Sequence, residues 1–298
     1  MKRYALYMGC TPQSGEKELL KSLDTISPKL GIEFDRITEG SCCGGAHLQD
    51  VNYEETLILN ARNLAYGEMR SEDIVTVCST CNIMLLEAKQ LLDNDFSLRD
   101  TVNNKLAEYG IQYTGNSAVR HILDVIADDI GAEAIRGQVV KPLSRLKIAP
   151  YYGCHIFRPG RLYKDSTRSL DSQNPQAMES IITAAGAEPI RFEHKDACCG
   201  FHTSLYDIPT SGMLISNILD EARRKGADAV ITPCPLCHMN LDQLQDKAKK
   251  YGKRSVHMPV LHFEQLIGLA FGIKPSQLGL KRHLSPIKFR RTFRRVMS

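Results

Sequence analysis

The sequence predicts an α/β protein of two similar halves, each built on a parallel sheet. Three observations carry this. Short apolar runs alternate with longer helical patterns, as strands and crossover helices do in parallel sheets. The ten cysteines fall into two sets of five with nearly the same spacing. The residues flanking corresponding cysteines also match.

The elements follow in chain order. Residues 4–8 and 148–152 read as buried strands, and each runs into a Gly-Cys pair. Residues 74–77 and 229–232 are further apolar strands, ending at Cys78 and Cys234. Helical patterns cover roughly 15–29, 54–69, 80–93, 212–225 and 236–250. In the fourth of these, Met213, Leu214, Ile218, Leu219 and Ala222 form one apolar face, with Ser211 as the expected N-cap. Pro235 suits the first turn of the last helix. Residues 131–146, which include Gly137 and Pro142, read as the linker between halves. The expected organisation is a first domain over 1–145, a second over 146–283 and a basic tail over 284–298.

Composition narrows the class. Of 298 residues, 43% are hydrophobic and 24% charged, which excludes wholesale disorder. No apolar run approaches the roughly 20 residues of a membrane span. The apolar stretch after Met1-Lys2-Arg3 is shorter than the about 7 to 15 residues of a signal peptide core. A cytoplasmic location is therefore expected, where thiols stay reduced. With no Trp and thinly spread aromatics, no nucleic-acid platform is expected. The net charge of +4 is concentrated at the end: residues 284–298 carry five basic side chains and no acidic ones. There Ile287, Phe289 and Phe293 interleave with arginines. This tail is either a solvated terminus or a segment that contacts a partner or a membrane.

The cysteines carry the chemistry. The first set is Cys10, Cys42, Cys43, Cys78 and Cys81, and the second is Cys154, Cys198, Cys199, Cys234 and Cys237. Each reads as one cysteine, a gap, a vicinal pair, 34 residues and CxxC. Tyr7-Met8-Gly9-Cys10 matches Tyr151-Tyr152-Gly153-Cys154, and Ser41-Cys42-Cys43-Gly44 matches Ala197-Cys198-Cys199-Gly200. The offset between halves is 144 at the first cysteine and 156 at the other four, so the extra 12 residues all lie between Cys154 and Cys198. Ligands of open parallel sheets sit beyond the carboxyl ends of the strands. Two strand ends per half deliver cysteines to that edge. A CxxC that opens a helix meets N-terminal amides, which favour thiolate over thiol.

Three chemistries could use five thiols. A disulfide framework fits poorly, because five is odd and adjacent cysteines pair only with strain. Structural zinc needs four ligands and leaves one cysteine over in each half. Iron–sulfur clusters take thiolates as their normal ligands. Two copies of one pattern, using every cysteine in the chain, point to the last.

This pattern resembles the twin CCG domains of the heterodisulfide reductase B-type subunit, over nearly the whole chain from Cys10 to Cys237 and a C-terminal helical stretch. The resemblance implies two pseudo-symmetric CCG domains with Rossmann-like parallel sheets, plus a C-terminal helix and a basic tail. It implies a noncubane [4Fe-4S] cluster held by each set of five cysteines, at or near the interface of the halves. It also implies an oxidoreductase acting on sulfur groups, with disulfide cleavage between the two clusters. The implied partners are a ferredoxin-type iron–sulfur subunit and a flavin-containing subunit. Two versions are open: reduction of the coenzyme M–coenzyme B heterodisulfide in methanogens, and oxidation of carrier-bound sulfane sulfur. Relatives with CCG domains also serve as electron relays in complexes that oxidise 2-hydroxy acids or succinate. A zinc-bound structural subunit is a third class of answer.

Other site residues follow from position. Reducing a disulfide takes two electrons and two protons, and four histidines lie close to cysteine motifs: His47, His155, His202 and His238. His155 and His202 are the candidate proton donors. The alternative for any of them is a hydrogen bond that orients a ligand. Arg158, Arg161, Lys164 and Arg168 cluster in the extra loop of the second half. Arg158 and Arg161 are the candidate substrate contacts, since a cationic lip would attract anionic thiols. No P-loop, dinucleotide fingerprint or ferredoxin run occurs, so electrons are expected to arrive from partner subunits.

Overall fold

The computed structural model describes residues 1–45, 47–70, 72–163, 176–252 and 257–285. Eight strands form two separate sheets among these residues. The first contains β1 (Lys2–Tyr7), β2 (Ile32–Arg36), β3 (Ile74–Thr76) and β4 (Val119–His121), in the order β2-β1-β3-β4. The second contains β5 (Lys147–Pro150), β6 (Glu188–Pro189), β7 (Ala229–Thr232) and β8 (Val260–His262), in the order β6-β5-β7-β8. Every pairing is parallel. The cysteine repeat is thus also a repeat of topology.

The strand sequences explain this. All of Ala229–Thr232 is buried, as in a strand covered on both faces. Parallel neighbours need long crossovers, and helices supply them. Lys17–Ile26 connects β1 to β2, Tyr53–Glu68 connects β2 to β3, and Ser79–Asn94 begins the path from β3 to β4. Ala177–Ala184, Ile208–Arg224 and Pro235–Gln243 occupy the corresponding places in the second half. Their ends are capped locally: Asn52 accepts a hydrogen bond from Glu55 N (3.1 Å) and Asp207 from Thr210 N (3.0 Å).

The halves share a core. Leu6, Leu23 and Ile126 of the first pack in one cluster with Tyr152, Ile182, Phe263 and Leu266 of the second. The helix Phe263–Ala270, the expected C-terminal helix, packs on Lys17–Ile26. Burying one such Leu or Phe side chain contributes about 1.5–3 kcal/mol. This shared core holds the two cysteine-bearing sheet edges in one fixed relation.

Several sequence expectations are corrected. The helix expected over 212–225 starts earlier, at Ile208, and its N-cap is Asp207; Ser211 is buried inside it. The asparagine and aspartate caps precede the apolar face by a full turn, which periodicity alone does not register. The helix expected over 236–250 is two helices, Pro235–Gln243 and Gln245–Tyr251, broken at Leu244. The expected linker contains the helix Gly131–Gly137, because Ile135 is buried against the core. The edge strands β2, β4, β6 and β8 carried no strand expectation. Three of them are only two or three residues long, too short for a periodic signal. Lys164 and Arg168, and the tail from residue 286 with Ile287, Phe289 and Phe293, lie outside the described residues.

Candidate functional site

The ten cysteines converge at the carboxyl edges of the two sheets. Cys10 follows β1 and Cys154 follows β5, each one residue after a glycine in the left-handed region (Gly9, φ 71°; Gly153, φ 75°). A Cβ at either glycine would lie 3.0 Å from the sulfur of the second CxxC cysteine, Cys81 or Cys237. These two glycines therefore bring the backbone up against the sulfur group. Cys78 and Cys234 are the N-caps of Ser79–Asn94 and Pro235–Gln243, so each CxxC opens a helix as expected.

A tyrosine anchors each vicinal pair. Tyr7 donates its hydroxyl proton to Ser41 O (2.5 Å), just before Cys42. Tyr151 does the same to Ala197 O (2.6 Å), just before Cys198. An asparagine then holds the carbonyl of the second cysteine of each pair. Asn60 donates to Cys43 O (3.0 Å) and Asn240 to Cys199 O (2.6 Å). Asn60 comes from the helix after the vicinal pair, whereas Asn240 comes from the helix after CxxC. The repeat conserves the contact and changes its source.

The sulfurs are crowded. Cys10 and Cys42 lie 3.6 Å apart, and Cys43 and Cys81 lie 3.4 Å apart. Cys154 contacts Cys198, and Cys237 contacts both Cys199 and Cys234. All ten are free thiols. The Cys78 and Cys234 thiols are close enough to shift each other's ionisation, so the two sites meet at the boundary of the halves.

Ionisation shows what such a group needs. The hydrogen bond from Cys154 holds Cys198 down to about 6, while the same contact and burial push Cys154 up. Cys43 is lowered by hydrogen bonds from Cys42 and Cys81, and Cys81 is raised in turn. Cys234 is lowered by Cys237 and Cys78, and both of these are raised. Each thiolate thus forms at a neighbour's expense. The chain offers backbone amides in compensation: Gly44 N to Cys42, Gly200 N to Cys198 and Phe201 N to Cys199, each at 3.4 Å. Amides do not balance five negative charges in a half. A bound cationic metal group would, and an all-sulfur donor set suits iron–sulfur clusters.

Three of the four histidines flanking cysteine motifs come together. His155 Nδ1 lies 2.9 Å from Thr80 Oγ1, inside the CxxC of the other half. His202 Nδ1 lies 2.8 Å from His47 Nε2, again across the halves. The His155 and His202 rings are 5.6 Å apart. Burial lowers the pKa of His155, and burial with His155 and His47 nearby lowers that of His202 to about 4. The fourth, His238, turns away from the sulfurs and is buried against Glu16 and Val260 O.

The two arginines sit differently. Arg158 pairs with Asp196 (3.0 Å), and its charge also favours the Cys198 thiolate. Arg161 pairs with Glu87 on the helix Ser79–Asn94, so it ties the halves together. Sequence reasoning missed Asn60 and Asn240, because a single asparagine carries no motif. It also missed the convergence of His238 with Glu16 and His262, which lie far apart in the chain.

Comparison with known proteins identifies the family and the fold. The CCG family, described as a cysteine-rich domain, matches residues 4–86 and 148–242. The chain is 40% identical to the 8-methylmenaquinol:fumarate reductase membrane anchor subunit of Wolinella succinogenes, over 95% of this chain and 97% of that one. It is 30% identical to a protein of Archaeoglobus profundus named for its likeness to the heterodisulfide reductase B-type subunit, over 93% of each. It is 28% identical to the B-type subunit of the ferredoxin:CoB-CoM heterodisulfide reductase of Methanosarcina mazei, over 95% and 94%. Among solved structures, a hypothetical protein from Helicobacter pylori shares the fold, with a TM-score of 0.75 at 19% identity; the match covers 95% of this chain and 52% of that one. No helix among the described residues is long and apolar enough to cross a membrane. With both cysteine sets inside the matched segments, the chain belongs to the CCG cysteine-rich domain family, in two copies, alongside the B-type subunits of heterodisulfide reductase.

Proposed function

We propose that this chain is the iron–sulfur subunit of a multi-subunit reductase, with one noncubane [4Fe-4S] cluster held by each set of five cysteines. Its reaction is the cleavage or formation of a sulfur–sulfur bond between the paired sites. The observation that carries this is the meeting of the two sites at Cys78 and Cys234. Cleaving a disulfide breaks one S–S bond, takes up two electrons and two protons, and forms two thiols. The bound clusters would supply the electrons. The chain supplies the rest. His155 and His202 lie at the boundary between the sites, and on this reading they would pass protons inward. Arg158 gives the second site a fixed positive charge for an anionic substrate. Partner subunits, one iron–sulfur and one flavin-containing, would deliver the electrons, and a cytoplasmic location fits such a complex.

A second reading is favoured by the Wolinella relative, whose 40% identity exceeds the 28–30% of the heterodisulfide reductase relatives. On that reading the chain relays electrons between a quinol and a fumarate- or succinate-reacting partner. The paired sites then act as two adjacent electron stations.

One experiment separates the readings. The anaerobically purified complex is given reduced viologen with a small disulfide, and separately a quinol with fumarate. Thiol release that is lost in His155→Ala supports sulfur chemistry. Quinol-linked fumarate reduction without thiol release rejects sulfur chemistry and establishes the relay. A chain with zinc and no acid-labile sulfide overturns both and leaves a structural subunit.

A further inference from the structure

A second group of metal-ligating side chains lies apart from the cysteines. Glu16 and Glu18 belong to the first half, shortly after Cys10. His238 follows Cys237, and His262 ends β8. One ligand atom from each of the four lies within 4.8 Å of all the others, and all four residues are buried. We propose that Glu16, Glu18, His238 and His262 bind one zinc ion that ties the first half to the second.

The donor chemistry fits. Two imidazoles and two carboxylates make a four-ligand set suited to zinc, and a closed structural site is tetrahedral. With bonds of about 2.0–2.1 Å, ligand atoms stand roughly 3.3 Å apart, so only small side-chain movements close the group around an ion. Two carboxylates would balance a divalent charge with both imidazoles bound as neutral ligands, and the proton that Glu16 holds on His238 against burial would be released.

The surroundings orient the ligands as metal sites require. His238 Nε2 bonds Val260 O (3.1 Å), which turns Nδ1 toward Glu16. His262 Nε2 reaches the same Glu16 oxygen, Oε2 (3.1 Å). The two rings are stacked, with centroids 4.1 Å apart. Gln243 Nε2 donates to Glu16 Oε1 (3.3 Å), and Arg282 Nε donates to Glu18 Oε2 (2.8 Å), so Glu18 Oε1 is left for an ion. Glu264 is fully buried two residues after His262, and neither of its oxygens has a hydrogen-bond partner among the described residues. Burial pushes its carboxyl up to about 8, and a cation nearby would favour the charged form.

This site does not depend on the iron–sulfur reading, and its test keeps the two apart. Zinc, iron and acid-labile sulfide are measured per chain in the anaerobically purified protein, with X-ray absorption at the zinc edge. The expected result is about one zinc with nitrogen and oxygen neighbours near 2.0–2.1 Å and no sulfur neighbour at about 2.3 Å. Glu16→Gln and His262→Gln should each lower zinc at least tenfold and leave sulfide unchanged. If one of them fails to fold, the other serves. Wild-type protein without zinc that also takes up none from added zinc sulfate would overturn the site and leave a hydrogen-bonded Glu–His network. Zinc with sulfur neighbours, or zinc retained in both variants, would also overturn it. Absent sulfide would reject the iron–sulfur reading without touching this one.

Discussion

The two cysteine sites have matching cysteines and unequal surroundings. In the first, Cys10 and Cys42 are exposed, while Cys43, Cys78 and Cys81 are buried. In the second, Cys154 and Cys198 are half-buried and the other three are buried. The second site also has a fixed cation, Arg158, beside Cys198. The segment leading to its vicinal pair is held by Glu221, which accepts hydrogen bonds from Glu193 N (2.8 Å) and His194 N (3.0 Å). Duplication has thus kept the sulfur geometry and varied access and charge. On the proposed function, two clusters that differ in solvent exposure and nearby charge would hold electrons at different potentials. That difference would serve either disulfide cleavage or electron relay.

The largest break in this comparison comes from a ligand. Cys81→Ser and Cys237→Ser each remove the sulfur against which a glycine backbone packs. Each should halve the metal content, from about eight irons per chain to about four. The EPR features that remain should differ between the two variants and sum to those of the parent. Identical residual spectra would show that the sites are equivalent.

The glycines come next. Gly9→Ala and Gly153→Ala place a Cβ 3.0 Å from a sulfur at positive φ. Left-handed strain alone costs about 1–3 kcal/mol. Each variant should lose its own cluster first on mild heating, followed as bleaching of the iron–sulfur absorbance. A common bleaching temperature would argue against two independent packing sites.

Glu221 sharpens the difference by pH. Burial acts to raise its carboxyl, but the hydrogen bonds from Glu193 N, His194 and His194 N outweigh burial and hold it below the usual range. A lowered carboxylate stabilises the fold above its unfolded value near 4.5. That contribution is lost as pH falls through the lower folded value. Glu221→Gln should therefore cost about 2 kcal/mol at pH 7 and progressively less as pH falls below 4.5, as read from urea unfolding. A cost that does not change with pH over that range would contradict the assignment.

The smallest effects belong to the arginines. Arg158 and Arg161 are more than half exposed, at 59% and 55%. Their ion pairs should each contribute about 0–1 kcal/mol to stability. Arg158→Ala should still raise KM for an anionic disulfide several-fold, whereas Arg161→Ala should not. Equal KM values in both variants would remove Arg158 from substrate binding.

Much of the site was legible because thiol chemistry is concentrated in few residue types. Spacing alone paired Cys10 with Cys154 and each later cysteine with its counterpart. The central strands were legible too, since strands such as Ala229–Thr232 are apolar throughout. The edge strands were not. Glu188–Pro189 and Val260–His262 hold their place through pairing with neighbours rather than through any pattern of their own. The break at Leu244 was hidden for a similar reason: helical periodicity continues across it.

The sequence by itself determined the cysteine repeat and the α/β class. Covalent spacing and side-chain type suffice for these, because a repeat and an apolar strand are read along the chain. Only the tertiary structure decided which groups meet. It brought Cys78 to Cys234, His47 to His202 and Thr80 to His155. It also took His238 from beside a cysteine and buried it with Glu16, 222 residues away in the chain. Such meetings depend on how two sheets pack over one shared core, and no local pattern encodes the distance between residues of different halves.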